Sequence, residues 1–130
     1  PDVHVLTIPS GSDIEINALQ RASAVIIQKS LKEGFGLTVT EALWKAKPVV
    51  ASAVGGITLQ VAHKYSGLLC HSVEGAAHAI KQGLQNPDYA KKLGENGREH
   101  VRQNFLLTRH LRDYLLLFLS LYHEGDVIHL

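Results

Sequence analysis

The stretch Ser30-Leu31-Lys32-Glu33-Gly34-Phe35-Gly36-Leu37-Thr38-Val39-Thr40-Glu41-Ala42-Leu43 decides how this chain is read. It is preceded by Ala24 to Gln28, a continuous apolar run of strand length, the pattern of a parallel strand buried on both faces. It is followed by Pro48 to Ser52, a second strand pattern. Between them, Ser30 to Gly36 is a loop with two glycines. Leu37 to Lys45 then reads as a helix with Val39, Ala42 and Leu43 on one face. Gly34 and Gly36 let the backbone approach a ligand closely. A helix starting near Leu37 offers free N–H groups and the positive end of its dipole, an anion site suited to a diphosphate. Glu33 lies beside that loop, and Glu41 is expected in the helix's first turn. A carboxylate repels phosphate but accepts hydrogen bonds from hydroxyls. Two of them around one anion site suit a ligand with hydroxyls on both sides of its phosphates, such as a nucleotide sugar. The same residues also fit a structural reading. Ser30 with Glu33, and Thr38 with Glu41, have capping-box spacing, and an acid in a first turn is favourable without any ligand.

Outward from this segment the pattern alternates. Val3 to Ile8 reads as a strand closed by Pro9-Ser10-Gly11. Ser12 and Glu15 have capping-box spacing before a short helix, Asp13 to Ala22, with Ile16, Leu19 and Ala22 in phase. Gly55-Gly56 is a loop, and Gly67 to Cys70 a last short strand. From there the chain reads as helical: Ser72 or Val73 to Leu84; a helix opened by Asn86-Pro87 and running towards Asn104, weakened by Gly94 and Gly97; and a final helix capped by Thr108 and reaching Tyr122. Leu111, Tyr114, Leu115, Phe118 and Leu119 form the stripe expected to be buried. Strand, helix, strand, helix, strand implies an α/β fold, a partial Rossmann-like parallel sheet with flanking helices and a helical C-terminus. Ligands in such sheets bind beyond the carboxyl ends of the strands, here Lys29 to Gly36 and Ala53 to Gly56.

Composition narrows the function classes. The chain has 130 residues, 45% of them hydrophobic and 19% charged, which suits one globular domain or part of one. Its formal net charge of +1 gives no electrostatic reason to expect nucleic acid or an anionic membrane. Tyr114 to Leu119, the longest apolar run, is too short to span a bilayer. The single cysteine, Cys70, excludes an internal disulfide and suggests a cytoplasmic setting. The eight histidines are scattered without metal-ligand spacing, so no metal or cofactor is expected. Trp44 reads as core. The absence of methionine and the start at Pro1 suggest a piece of a longer polypeptide.

Glu33 and Glu41 with seven residues between them, and Gly34-Phe35-Gly36 directly after the first, resemble the E-x7-E signature of family-4 retaining glycosyltransferases. Ile16 to Ala22, Glu41 to Val49, Val54 to Ile57 and the tail from Asn104 to Tyr122 resemble the trehalose synthase branch of that family. The resemblance covers most of the chain and is most specific over residues 13 to 57. It implies the GT-B fold of two Rossmann-like domains, with residues 1–130 forming the later part of the C-terminal, nucleotide-sugar-binding domain. It further implies retaining transfer of glucose from UDP-, ADP- or GDP-glucose to glucose.

The same resemblance assigns roles by position. Glu33, the catalytic-site residue, would accept hydrogen bonds from donor-sugar hydroxyls and position the sugar, without acting as a nucleophile. Gly34, Phe35 and Gly36 would line the sugar. The amides of Leu37 and Thr38 would meet the diphosphate, Glu41 would hold the ribose, and Gly55 and Gly56 would form a neighbouring wall. Two positions depart from the pattern: Thr58-Leu59 replaces a common Pro-Glu pair, and His63-Lys64 stands where the family tends to have Asp-Gly. The family's diphosphate-neutralising Arg and Lys and its acceptor-binding domain lie earlier in sequence. Lys29 and Lys32 read as solvated surface lysines. The chain alone is therefore expected to be inactive, and to self-associate or swap domains through exposed edges at Val3–Ile8 and Ala24–Gln28. The rival expectations are a retaining phosphorylase built on the same domain and a non-catalytic assembly piece with a vestigial site.

Overall fold

A computed structural model describes residues 2–122 of the chain. Its elements run α1 (Asp13–Ala22), β1 (Ile26–Gln28), α2 (Leu37–Trp44), β2 (Val49–Ser52), α3 (Ile57–Gln60), β3 (Leu68–Cys70), α4 (Val73–Gln85), α5 (Pro87–Asn104) and α6 (Leu107–Tyr122). The three strands form one parallel sheet in the order β1-β2-β3, with Ile26 opposite Val49 and Val50 opposite Leu68. Every residue of β2 is buried, as a central parallel strand requires.

Two apolar layers cover the sheet. On one face Val39, Ala42 and Leu43 of α2 and Val101 of α5 pack with Val49, Ala51, Ile57 and Val61. On the other, Ala76 and Ala79 of α4 and Leu93 of α5 pack with Val50, Leu68 and Cys70. Fully buried side chains such as Leu43, Ile57 and Leu93 each contribute about 1.5–3 kcal/mol relative to exposure. The Cys70 thiol is buried and donates to the carbonyl of Ala51 at 3.2 Å, a packing role. The glycines of α5 have a specific cause. A Cβ on Gly94 would lie 2.0 Å from the carbonyl oxygen of Ala46, and one on Gly97 2.6 Å from Leu43 Cδ2. Their bare backbones let α5 lie directly against the end of α2.

Several expectations are corrected. Val3 to Ile8 forms no strand: no described strand pairs with it, and Val3, Val5 and Leu6 stand exposed. An apolar run becomes a strand only where its N–H and C=O groups find a ladder. Ile27 of β1 is 48% exposed, and β1 is an edge strand of the described sheet, so the run from Ala24 is not buried on both faces. The stripe on α6 is also exposed: Leu111, Tyr114, Leu115, Phe118 and Leu119 are each about half accessible or more, and α6 has no buried residue. Thr108 lies inside α6, which starts at Leu107, so it is not the cap. Trp44 is 40% exposed, and its ring lies under the Arg98 guanidinium at 5.3 Å, a surface cation–π contact. Ser12 and Asn86 precede their helices without a side-chain cap bond, whereas Ser72 caps α4 by accepting from the N–H of Gly75 at 3.0 Å.

The turn before β3 departs from the family pattern without being disrupted. Lys64 takes the left-handed conformation at φ 65° that a glycine would favour, and its N–H donates to the carbonyl of Gly67 at 2.8 Å. His63 Nδ1 accepts from the N–H of Leu69 at 3.0 Å. Among the described residues no helix is long and apolar enough to cross a membrane.

Candidate functional site

The site is built where the loops leave the carboxyl ends of β1 and β2. Gly36 is the N-cap of α2 at φ 85°, and its carbonyl accepts from the N–H groups of Val39 and Thr40 at 3.0 and 3.3 Å. A glycine cap has no side-chain oxygen to fold over the helix start. The N–H groups of Leu37 and Thr38 accordingly have no hydrogen-bond partner among the described residues, and both residues are exposed. A helix start with free donors carries partial positive charge and favours an anion.

The turn at Gly55-Gly56 holds this loop from beneath. The N–H of Gly56 donates to the carbonyl of Glu33 at 3.3 Å. A Cβ on Gly55 would lie 1.8 Å from that carbonyl oxygen, and one on Gly56 2.2 Å from the carbonyl oxygen of Gly34. Gly55 also has a positive φ of 49°. Only two bare backbones can approach this closely. Gln60, at the end of α3, is fully buried and donates from Nε2 to the carbonyl of Phe35.

The two glutamates flank the helix start along different elements. Glu33 is half-buried and its Oε2 accepts from Ser30 Oγ at 3.4 Å, which in turn accepts from Gln28 Nε2 at 2.9 Å. Ser30 thus orients Glu33 without opening a helix. Glu41 is the fifth residue of α2 and belongs to its second turn, not the first; Gly36, not Thr38, occupies the cap. The Glu41 Oε2 accepts from buried Gln20 of α1 at 3.4 Å, and Gln20 Oε1 accepts from Lys45 at 2.7 Å. Lys29 is not simply solvated: its Nζ donates to buried Ser52 Oγ at 3.1 Å across a hollow of about 140 Å³ lined also by Ser30, Val54 and His71. Phe35 meets Phe105 edge-on at 5.9 Å and borders a hollow of about 390 Å³ reaching to His110 and Asp113. Neither glutamate lines either hollow. The structure therefore gathers Gly34, Phe35, Gly36, Leu37, Thr38, Gly55 and Gly56 into one patch. It sets Glu33 and Glu41 at the loop and on α2, and does not enclose them in either of these cavities. Gln20, Gln60 and Ser52 were missed by sequence reasoning; a lone polar residue carries no periodic signal.

A parallel sheet whose glycine-rich loop feeds a helix start, with helices on both faces, is the α/β architecture of a Rossmann-like domain. Residues 2–100 match the family Glycosyl transferases group 1, and the chain belongs to that family. It is similar to trehalose synthase of Rubrobacter xylanophilus, 48% identical over 122 residues that cover 93% of this chain and 29% of that protein. It is 38% identical to trehalose phosphorylase of Grifola frondosa over 103 residues, covering 78% of this chain and 14% of that one. Among solved structures, sucrose-phosphate synthase of Thermosynechococcus elongatus superposes with a TM-score of 0.72 at 35% identity, over 80% of this chain and 27% of that one. Anabaena Alr3699/HepE in complex with UDP-glucose superposes with a TM-score of 0.71 at 25% identity, over 82% and 30%. The fold is that of GT-B glycosyltransferases, and the chain spans less than a third of the length of these relatives.

Proposed function

We propose that this chain forms the donor side of a retaining hexosyltransferase that moves glucose from a nucleoside-diphosphate glucose to glucose, giving trehalose. The observation that carries the reading is the free N–H pair of Leu37 and Thr38, presented by a glycine loop that Gly55 and Gly56 lock in place. In this reading the diphosphate lies on the start of α2, whose donors stabilise the charge that develops on the leaving group. Gly34, Phe35 and Gly36 line the sugar. Glu33, held by Ser30, accepts from sugar hydroxyls and fixes the anomeric carbon for same-face attack. Glu41, held by Gln20, accepts from the ribose hydroxyls. A similar structure is a complex with UDP-glucose, which supports a nucleotide sugar as the ligand, and the similar trehalose synthases support the acceptor.

The acceptor and the whole reaction belong to the longer protein that these relatives imply, and the 130-residue chain alone is inactive in this reading. The test is trehalose formation by the full-length protein from UDP-, ADP- or GDP-glucose with glucose, with retained anomeric configuration followed by NMR. Product from glucose 1-phosphate and glucose, with none from nucleotide donors, would replace this reading with the phosphorylase one that the Grifola relative suggests. No product under either condition would favour an inert assembly piece.

A further inference from the structure

Gln60 combines three features. It is 0% exposed, it sits at the last position of the short helix α3, and its two amide atoms have opposite fates. Nε2 donates to the carbonyl of Phe35, while Oε1 is buried without a hydrogen-bond partner. A buried acceptor left unpaired is costly, and here it is the counterpart of the donor that reaches Phe35. A methionine or leucine would fill the volume without that orphan, but would leave the Phe35 carbonyl without its donor.

The geometry points to Gln60 as a positioning residue for the donor site, an inference that rests on the function proposed above. In a trans peptide the C=O and N–H groups point in opposite directions. Gln60 ties the Phe35 carbonyl towards the core. The N–H of the same peptide, that of Gly36, is thereby turned away from Gln60. No hydrogen bond among the described residues uses it. The clasp thus leaves the N–H of Gly36, a buried residue, unpaired beside the exposed donors of Leu37 and Thr38, and in the proposed reading it completes the phosphate cradle. Gly36 is needed for the same arrangement: a Cβ there would lie 3.2 Å from Ile57 Cγ1 and 3.4 Å from Gln60 Oε1, and φ is 85°. Gln60 never touches the ligand. It acts through the orientation of one peptide plane.

The test uses Gln60→Met and Gln60→Glu in the full-length protein, with calorimetric titration of UDP, ADP and GDP, and thermal melting. Methionine removes the orphan acceptor but leaves the Phe35 carbonyl without its donor, so one unpaired acceptor replaces another and melting should stay close to wild type. Affinity for whichever nucleotide the wild type binds should fall about tenfold, the effect of one lost orienting hydrogen bond. The glutamate variant separates orientation from packing. Burial raises its pKa, and only its protonated form donates to the Phe35 carbonyl. Its affinity relative to wild type at each pH should therefore recover as pH is lowered, while that of Gln60→Met does not. Wild-type affinity in Gln60→Met would overturn the inference. So would affinity losses that follow melting in both variants without recovery of Gln60→Glu at low pH. No nucleotide binding by the wild-type protein would instead overturn the donor-site reading, and this inference with it.

Discussion

Gly34→Ala and Gly55→Ala separate the shape of the loop from its proposed contact with a ligand. A Cβ on Gly34 would meet nothing within 4 Å, and its φ is not positive. The folded state therefore accepts alanine, and the stiffer unfolded chain leaves stability unchanged or about 0.4–1 kcal/mol higher. At Gly55 the same methyl group would lie 1.8 Å from the carbonyl oxygen of Glu33, where ordinary contact begins at 3.4 Å. The two backbones must separate by about 1.6 Å, and the residue must keep a positive φ. The left-handed conformation costs roughly 1–2 kcal/mol and overpacking roughly 1–3, so Gly55→Ala should lose about 2–5 kcal/mol. Function does not follow that ranking of stability. The Gly34 methyl group faces open space in the structure and the donor sugar in the proposed reading. A displacement of about 1 Å at the sugar can cost around a hundredfold in rate. Urea denaturation of both variants, with transfer rates measured in the full-length protein, gives the comparison. Gly34→Ala should be stable and slow. If it instead transfers sugar at the wild-type rate, Gly34 does not line the donor. A Gly55→Ala protein with wild-type stability would refute the backbone contact itself.

Gly94→Ala should destabilise the fold by about 1–3 kcal/mol in urea denaturation, although alanine is the better helix former by up to about 1 kcal/mol, because its Cβ would lie 2.0 Å from the Ala46 carbonyl oxygen. Glu99 gives a pH signature: hydrogen bonds from Arg102 hold its carboxyl down at about 2, against 4.5 ordinarily. A depressed carboxylate contributes stability that is complete above the ordinary value and is lost as pH falls through the folded one. Glu99→Gln should therefore melt lower than wild type at neutral pH and converge with it between about pH 4.5 and 2, and a gap independent of pH would refute this. The exposed apolar faces of α6 and of the β1 edge predict concentration-dependent association of the isolated chain, reduced by Leu115→Ser with Phe118→Ser and measured by sedimentation. A chain monomeric at all concentrations would count against it.

The central α/β rhythm was legible because its signals are local. α1 has the bounds that its periodicity predicts, Val39, Ala42 and Leu43 are the buried face of α2, and β2 lies where a strand was expected, although the full burial expected of Ala24 to Gln28 is found in β2 instead. What failed depends on neighbours. Val3 to Ile8 has a strand's composition but no ladder to join, and the leucines of α6 have a core's periodicity but no described surface to meet. Gly94 and Gly97 read as defects in a helix because propensity sees only the helix; their reason is the approach of α2. The short helix α3 left no signal beyond Gly55-Gly56, and with it the clasp of Gln60 was invisible. The glycine loop and its two acids were found from sequence, yet the supports of those acids, Ser30 excepted, come from elements far along the chain.

These supports share a logic. α2 has only eight residues, too few to be stable alone, since isolated helices shorter than about 12–15 residues are marginal in water. It is held at both ends by close approaches of glycine backbone, to backbone at Gly55, Gly56 and Gly94 and to the Leu43 side chain at Gly97. At its start, Gly55 and Gly56 abut the Glu33–Phe35 backbone; at its end, Gly94 and Gly97 abut Ala46 and Leu43. Ala46, just beyond the helix, adopts φ 56°, so the exit from α2 is shaped against α5 as firmly as the entry is shaped against the Gly55-Gly56 turn. The free N–H groups of Leu37 and Thr38 are aimed by a helix clamped from outside, not by its own propensity. Loosening the far clamp should therefore be felt at the near end. In Gly97→Ala, far from any proposed ligand contact, nucleotide affinity should weaken together with stability. Gly34→Ala should weaken affinity alone, and that contrast distinguishes a clamped helix from one that stands by itself.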